Sequence, residues 1–481
     1  MRFRVASLFA AWLGLATSAL ASLPQPVRDA LARHGVPESA VAAVVEPVAG
    51  GTRLVEHRAG EPMNPASVTK IVTTYAGLEL LGPAFTFDTD FLTTGTLADG
   101  VLTGNLIIRG GGDPKLTDER FWKIAHRLRA RGLREIRGDV ILDRSRFAPA
   151  QHDPAQFDGQ GRRAYNVGAD ALLLNFKTIA FRFAPEGTSV RVTAEPDFPT
   201  LEIASRLKPA PGSCDSWRNG LQYRITETGL LATAEFTGTY PTECGEKVFP
   251  LSVFSADAYA ETMFRWVWNA TGGRFVGQVR AGPAPADAKL FLRHESEPLS
   301  LVIRDINKFS NNVMARQVFL TLSAEKNGGA GEAKASEKVV RDWMSAKGID
   351  ITGIVLDNGS GLSRSERLSA GAVTALLRSA WSSAVMPELV ASLSLMSVDG
   401  TFRRRNGPAA GSAHLKGGTL AGVQAVAGIV RDAKGNRWAV AMLINHEKAN
   451  QAQPALDALV DWVWRGAPVS KRALATAPAG K

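Results

Sequence analysis

Apolar positions change their period several times along the chain. Near the start, VPESAVAAVVEP and TRLVEHRA are short apolar-rich runs joined through VAGG, and they predict two strands. Asn64-Pro65-Ala66 breaks that pattern. From Ser67 the apolar residues of SVTKIVTTYAGLELLG recur at helical spacing and stop at Gly82, which predicts a helix opening on a serine. Residues 86–289 then carry short alternating runs, among them TDFLTTG, VLTGNLIIRG, GDVILDRSRF, LNFKTIAFRFAP, SVRVTAEP and LQYRITETGLLATAEFTG. Turn residues punctuate them, and one helical stretch, DERFWKIAHRLRARG, interrupts.

Helical spacing returns near residue 299 in LSLVIRDINKF and SNNVMARQVFLTLSAEK, and after a flexible joint in EKVVRDWMSAKG and GAVTALLRSAWSS. Three strand-like pieces follow, AHLKGGTL, VQAVAGIVRD and NRWAVAMLIN, with AKGN as a hairpin turn between the last two. A final helix, PALDALVDWVWRG, precedes a tail rich in Ala, Pro and Lys. Strands at both ends with helices between them predict one α/β (α+β) domain made of residues 22–85 and 290–470. Residues 86–289 form a β-rich insertion of one or two subdomains, and 471–481 a disordered tail.

The first 21 residues read as a signal peptide. Arg2 and Arg4 precede an apolar run from Val5 to Leu15, and Ala19-Leu20-Ala21 supplies the small-x-small pattern of a cleavage site. The run is too short to span a bilayer; a membrane anchor is the competing reading. Export to the periplasm with cleavage after Ala21 is expected. The chain of 481 residues is 45% apolar, ordinary for a globular protein, and carries a net charge of +10. That charge suits an anionic neighbour such as a wall polymer or a membrane face, or plain solubility. With no long Lys/Arg block and no nucleic-acid motif, no nucleic-acid partner is expected. Nothing in the sequence specifies an oligomeric state.

Two cysteines are present, Cys214 and Cys244. In an exported chain such a pair predicts a disulfide, with two free buried thiols as the alternative. Two cysteines without nearby histidines cannot complete a zinc site, and the seven histidines show no HExxH spacing. No metal and no cofactor are expected. A GxSxG nucleophile elbow is also absent.

Chemistry concentrates at PASVTK, where Ser67 and Lys70 stand three apart at a helix start. They would share one face, and a neutral amine there could take the serine proton if burial and a second cation lowered its pKa. Alone the pair is weak, because Ser67 could simply cap the helix. A second Ser-x-x-Lys, at Ser205 and Lys208, runs into PAPG and cannot continue as a helix. Two further motifs add weight: Ser310-Asn311-Asn312 in FSNNVMAR and Lys416-Gly417-Gly418-Thr419 in HLKGGTL. Each has a plain alternative, Ser310 as a helix cap with Asn311 and Asn312 exposed, and Lys416 as a solvated strand lysine. Lys326-Asn327-Gly328 is a chance copy of the third motif, and His414 reads as structural.

In the order SxxK, SxN, KxG these motifs resemble the signature of penicillin-recognising serine enzymes. The first interval is more than twice the second. That spacing is similar to the class C low-molecular-mass penicillin-binding proteins, D-alanyl-D-alanine carboxypeptidases that also act as endopeptidases. NLIIRGGGDPKLT, GDVILDRSRF, LDNGSGLSR and SVDGTFRRR resemble the family too, over residues from about 30 to 465. The resemblance implies a transpeptidase-like domain, an antiparallel sheet flanked by helices. It implies that Ser67 attacks the D-Ala-D-Ala or D-Ala-diaminopimelate bond of peptidoglycan peptides, with Lys70 as its base. Ser310 would relay the proton, Asn312 would hold substrate and Lys70, and Lys416 would supply positive field. The N–H groups of Ser67 and Thr419 would form the oxyanion hole, with Gly417, Gly418 and Thr419 lining the substrate, and β-lactams would be covalent inhibitors. One departure stands out: the family usually reads Lys-Thr-Gly, and here the middle residue is Gly417, with a hydroxyl two positions on at Thr419. A β-lactamase and a non-catalytic cell-wall binding homologue are the alternative readings.

Overall fold

The computed structural model describes residues 22–466; the predicted signal peptide and the 471–481 tail lie outside the described residues. A six-stranded sheet forms the centre. Its order is Ser394–Leu395, Ala413–Leu420, Val423–Arg431, Arg437–Asn445, Val41–Pro47 and Val55–His57, and every neighbouring pair is antiparallel. The middle strands are almost continuously apolar because both faces are covered by helices. Period-two alternation still sorts their side chains. Ala42, Val44, Ala425, Ala427, Ala441 and Leu443 enter one core, packed with the helices Thr69–Leu80, Leu299–Phe309, Asn312–Asn327 and Ala370–Trp381. Val41, Ala43, Val45, Val426, Val440 and Met442 enter the other, beneath the helices Gln25–Arg33 and Gln453–Trp464. The sequence carries two of the sheet's strands at its N-terminal end and four at its C-terminal end, and the antiparallel pairing of Val41–Pro47 with Arg437–Asn445 joins them.

The AKGN turn forms as its residue types dictate. Asp432 accepts from the backbone N–H groups of Lys434 and Asn436 and from Trp438 Nε1, and Gly435 takes the positive φ the turn requires.

Between the helix Thr69–Leu80 and residue 299 the chain makes a long excursion. Strands Asp88–Thr93 and Lys289–Glu295 lie side by side in a five-stranded sheet, so the chain leaves and returns through one place. The other strands of the excursion form one three-stranded and two four-stranded sheets around an aromatic core that includes Phe181, Phe183, Phe236, Tyr240 and Trp268. The sequence patterning gave one helix here, and the structure has two, Asp118–Ala130 and Ala256–Ala270. The second, ADAYAETMFRWVWNA, buries Tyr259, Met263, Phe264 and Val267 along one stripe. Its aromatic and β-branched content reads equally well as strand, and tertiary packing decides the outcome.

Cys214 and Cys244 are joined with Cα atoms 5.2 Å apart, closing a separation of 30 residues around the hairpin Leu221–Thr228/Leu231–Pro241. A loop of that size constrains the unfolded chain by about 3–4 kcal/mol. The double substitution Cys214→Ser/Cys244→Ser is expected to lower the denaturant midpoint of the insertion's unfolding accordingly, measured by urea titration under non-reducing conditions.

Candidate active site

Ser67 stands on a strained elbow. One 3-10 turn, Ala66–Val68, precedes the helix Thr69–Leu80, and Ala66 has φ +46°, unusual for a residue with a Cβ. The elbow is pinned from three directions. Asn64 Oδ1 accepts from Ala66 N, Asn64 Nδ2 donates to Ser363 O, and the Asn64 backbone exchanges hydrogen bonds with the Asn445 side chain on the central sheet. The Ser67 side chain makes no cap bond, which removes the plain helix-cap reading.

Lys70 is fully buried one turn along. Its Nζ lies 3.0 Å from Ser67 Oγ and donates to Asn312 Oδ1 at 2.7 Å and to the carbonyl of Ser360. Burial, and then the charges of Lys416 and Arg316, hold its pKa well below the ordinary lysine value, with Glu366 acting in the opposite direction. The expected trio of Ser67, Lys70 and Asn312 is therefore in direct contact.

Ser310 and Lys416 come from different elements and also meet. Ser310 ends the helix Leu299–Phe309 in the left-handed region, φ +56°, and the next helix starts two residues on. The cap of that second helix is Asn311, whose Oδ1 accepts from Met314 N, so the cap alternative considered for Ser310 falls to its neighbour. Asn312 is buried, and its Nδ2 donates to the Tyr165 carbonyl at 3.1 Å, a contact contributed by the insertion. Lys416 Nζ donates to Ser310 Oγ and to Gly417 O, each at 2.8 Å. Lys416 is fully buried, and burial brings its pKa down to about 7.

The strand Ala413–Leu420 runs against the Ala66–Val68 turn. A Cβ on Gly418 would stand 2.7 Å from Pro65 O and 2.9 Å from Ser67 N, so glycine alone permits this approach. At Gly417 a Cβ would meet the Phe402 ring at 3.2 Å. The Thr419 hydroxyl, expected to stand in for the missing one at 417, donates to Gln424 Oε1 on the neighbouring strand. His414 keeps a buried Nδ1 without a partner and bonds to none of these groups. The chance copies behave as chance copies: Ser205, Lys208 and Lys326 are exposed.

A family model of the D-Ala-D-Ala carboxypeptidase 3 (S13) family matches residues 23–465. The chain belongs to this family. A D-alanyl-D-alanine carboxypeptidase of Actinomadura sp. (strain R39) is 30% identical over 85% of this chain and 78% of its own length. The D-alanyl-D-alanine carboxypeptidase DacB of Haemophilus influenzae is 25% identical over 80% of each chain. Among solved structures, penicillin binding protein 4 of H. influenzae superimposes with a TM-score of 0.76 at 22% identity, covering 91% of this chain and 99% of its own. That likeness gives the fold, a penicillin-binding protein fold with antiparallel sheets and helices.

Sequence reasoning missed several residues of this candidate site. Ser360 accepts from the lysine through its backbone, which no side-chain motif announces. Arg316 is buried one turn after Asn312 and donates to Val167 O at 2.8 Å. Glu366 is fully buried and accepts from the Thr69 hydroxyl and from the N–H groups of Asn358 and Gly359. The stretch LDNGSGLSR did stand out, and its small polar residues form the loop that carries Ser360. A cleft of about 960 Å³ adjoins this loop, lined by Arg316, Asp357, Asn358 and Ser363 on one side and by His152 and Phe157 of the insertion on the other.

Proposed function

We propose that this chain is an exported serine D,D-peptidase that cleaves the D-Ala-D-Ala or D-Ala-diaminopimelate bond of peptidoglycan peptides through an acyl-enzyme on Ser67. The observation that carries the reading is the set of partners around Lys70. A neutral amine has two N–H groups and one lone pair. Asn312 Oδ1 and Ser360 O are acceptors for the two N–H groups, which leaves the lone pair for the proton of Ser67 Oγ. A charged ammonium in this buried place would lack a carboxylate partner within hydrogen-bonding reach.

As Ser67 Oγ forms its bond to the peptide carbonyl carbon, its proton passes to Lys70. The oxyanion that develops is held by the N–H groups of Ser67 and Thr419, a contribution of several kcal/mol in the transition state. Ser310, bonded to Lys416, relays the proton held by Lys70 to the departing amine as the C–N bond breaks, its hydroxyl giving one proton to nitrogen and receiving one from the lysine. Water then attacks the ester, giving a proton to the again neutral Lys70, which returns it to Ser67 Oγ as the acyl C–O bond breaks. Lys416, with a pKa near 7, gains charge when a substrate carboxylate approaches, which couples carboxylate binding to the field that keeps Lys70 neutral. A β-lactam presents a strained amide to the same oxygen and is retained as an ester.

The Arg-flanked apolar leader supports export and a periplasmic location, where a Cys214–Cys244 disulfide persists. Among the described residues no helix is long and apolar enough to cross a membrane. The test is digestion of purified muropeptides, with products weighed by mass spectrometry. The expected products are peptides shortened by one alanine, or monomers released from cross-linked dimers, and none with the Ser67→Ala protein. Unchanged muropeptides with wild-type protein, or equal products with the variant, would contradict the proposal.

A further inference from the structure

We propose that Glu366 is a positioning residue of this site, an ionised buried carboxylate that holds the Ser360 carbonyl against Lys70 and places a negative charge opposite the amine. The inference rests on the reading of Lys70 as the base. Glu366 touches none of the reacting atoms, yet it reaches Lys70 by two short routes. Its Oε2 accepts from the hydroxyl of Thr69, the residue preceding Lys70 on the nucleophile helix, at 2.9 Å. Its Oε1 accepts from Asn358 N at 3.2 Å and Gly359 N at 3.1 Å. The next residue in that loop, Ser360, offers the carbonyl that Lys70 engages. The loop is further tied by Thr73 Oγ1 donating to Gly359 O, and by Asn358 Oδ1 accepting from Ser360 N and Oγ.

The hydrogen-bond chemistry favours the ionised form. Two of the three partners are backbone N–H groups, which can only donate, and both aim at the same oxygen. Three charges act on Lys70: Lys416 from the strand Ala413–Leu420, Glu366 from the segment following the loop, and Arg316 from the helix Asn312–Asn327. Asp357, on the same loop, faces Glu366 and Arg316. Three buried bases thus share the space with one fully buried acid. Burial, with the charge of Asp357, holds the Glu366 carboxyl above the ordinary carboxylate value, against the downward pull of the donated hydrogen bonds and Lys70. As an anion it raises the proton affinity of Lys70, opposing burial and the two cations, so the acid sets where the amine switches.

The experiment measures the second-order rate of Ser67 acylation by a fluorescent penicillin as a function of pH. It compares the wild-type chain, Glu366→Gln and Glu366→Asp. Acylation needs the unprotonated amine, so its rate rises with pH through the pKa of Lys70. Removing the negative charge lowers that pKa, and the Gln variant is expected to shift the acid limb downward by about one pH unit. The Asp variant keeps the charge but not the reach; its limb stays in place while its plateau falls. A Gln limb that superimposes on the wild-type limb, whatever its plateau, overturns the inference and leaves a carboxylate that merely packs. If the Gln variant does not fold, Glu366→Ala, which also removes the charge, is read the same way. A downward shift of its limb supports the inference and an unmoved limb overturns it. A wild-type chain that is never acylated at Ser67 overturns the functional reading and this inference together.

Discussion

Lys70→Met is expected to lower the rate of Ser67 acylation by about 10³-fold, the span removed when a general base is lost. Methionine retains most of the lysine volume, so the core around the nucleophile helix stays filled and the effect isolates the amine. The same substitution has a signed consequence for stability. A free lysine is charged up to its ordinary pKa of 10.5, whereas Lys70 in the fold is held well below it. Between the folded and unfolded values the unfolded chain binds the extra proton, so wild-type stability rises with pH across that window and reaches its full value only near 10.5. The Met variant lacks this dependence and is expected to be more stable than wild type at neutral pH, with the two curves converging as pH rises. Thermal unfolding at several pH values checks the stability arm, and stopped-flow acylation the kinetic one. An active, β-lactam-sensitive Met variant would show that the proton leaves Ser67 by another route.

Gly418→Val is expected to lower acylation by about 100-fold without unfolding the chain. The first side-chain atom would fall 2.7 Å from Pro65 O, 2.9 Å from Ala66 Cβ and 2.9 Å from Ser67 N. The nearest of these is backbone, and the elbow behind it is already fixed by Asn64 and Asn445. The strand Ala413–Leu420 must therefore move away, carrying Lys416 and Thr419 with it. A displacement near 1 Å in a reacting constellation is enough for a loss of about 10². Gly417→Ala provides the control. Its Cβ would crowd the Phe402 ring at 3.2 Å, with Ala425 O at an ordinary 3.9 Å, and a side chain can give way where a backbone cannot. Near-wild-type acylation is expected there. Equal losses at the two glycines would mean that the close approach to Ser67 is not what Gly418 supplies.

Much of this site is legible in the sequence. Side-chain motifs that recur at short spacing, Ser67/Lys70, Ser310/Asn312 and Lys416/Gly418, announce themselves because chemistry requires those residue types. The structure brings each into contact with the nucleophile's neighbourhood. The central sheet was legible for a different reason: runs such as VQAVAGIVRD are buried on both faces and carry β-branched residues, which suit a strand. What escaped is what a linear pattern does not encode. The carbonyl of Ser360 and the elbow at Ala66 belong to the backbone, and Glu366 is one acid among many until burial singles it out. The helix Ala256–Ala270 was hidden by its aromatic residues within a strand-rich context. The residue type of Ser310 fits a helix cap, and Asn311 takes that task because the helix break falls one residue later. The substitution of the Thr419 hydroxyl for one at 417 rested on strand periodicity alone, which fixes the face but not the partner, and Gln424 takes the hydroxyl.

The most direct test is to incubate the protein with benzylpenicillin, digest it, and locate the added mass by tandem mass spectrometry. A single penicilloyl ester on Ser67, persisting over many minutes and absent from Lys70→Met over the same interval, is the predicted result. An adduct on another residue, no adduct at all, or release within seconds as a β-lactamase would give, would contradict a D,D-peptidase in which Lys70 activates Ser67.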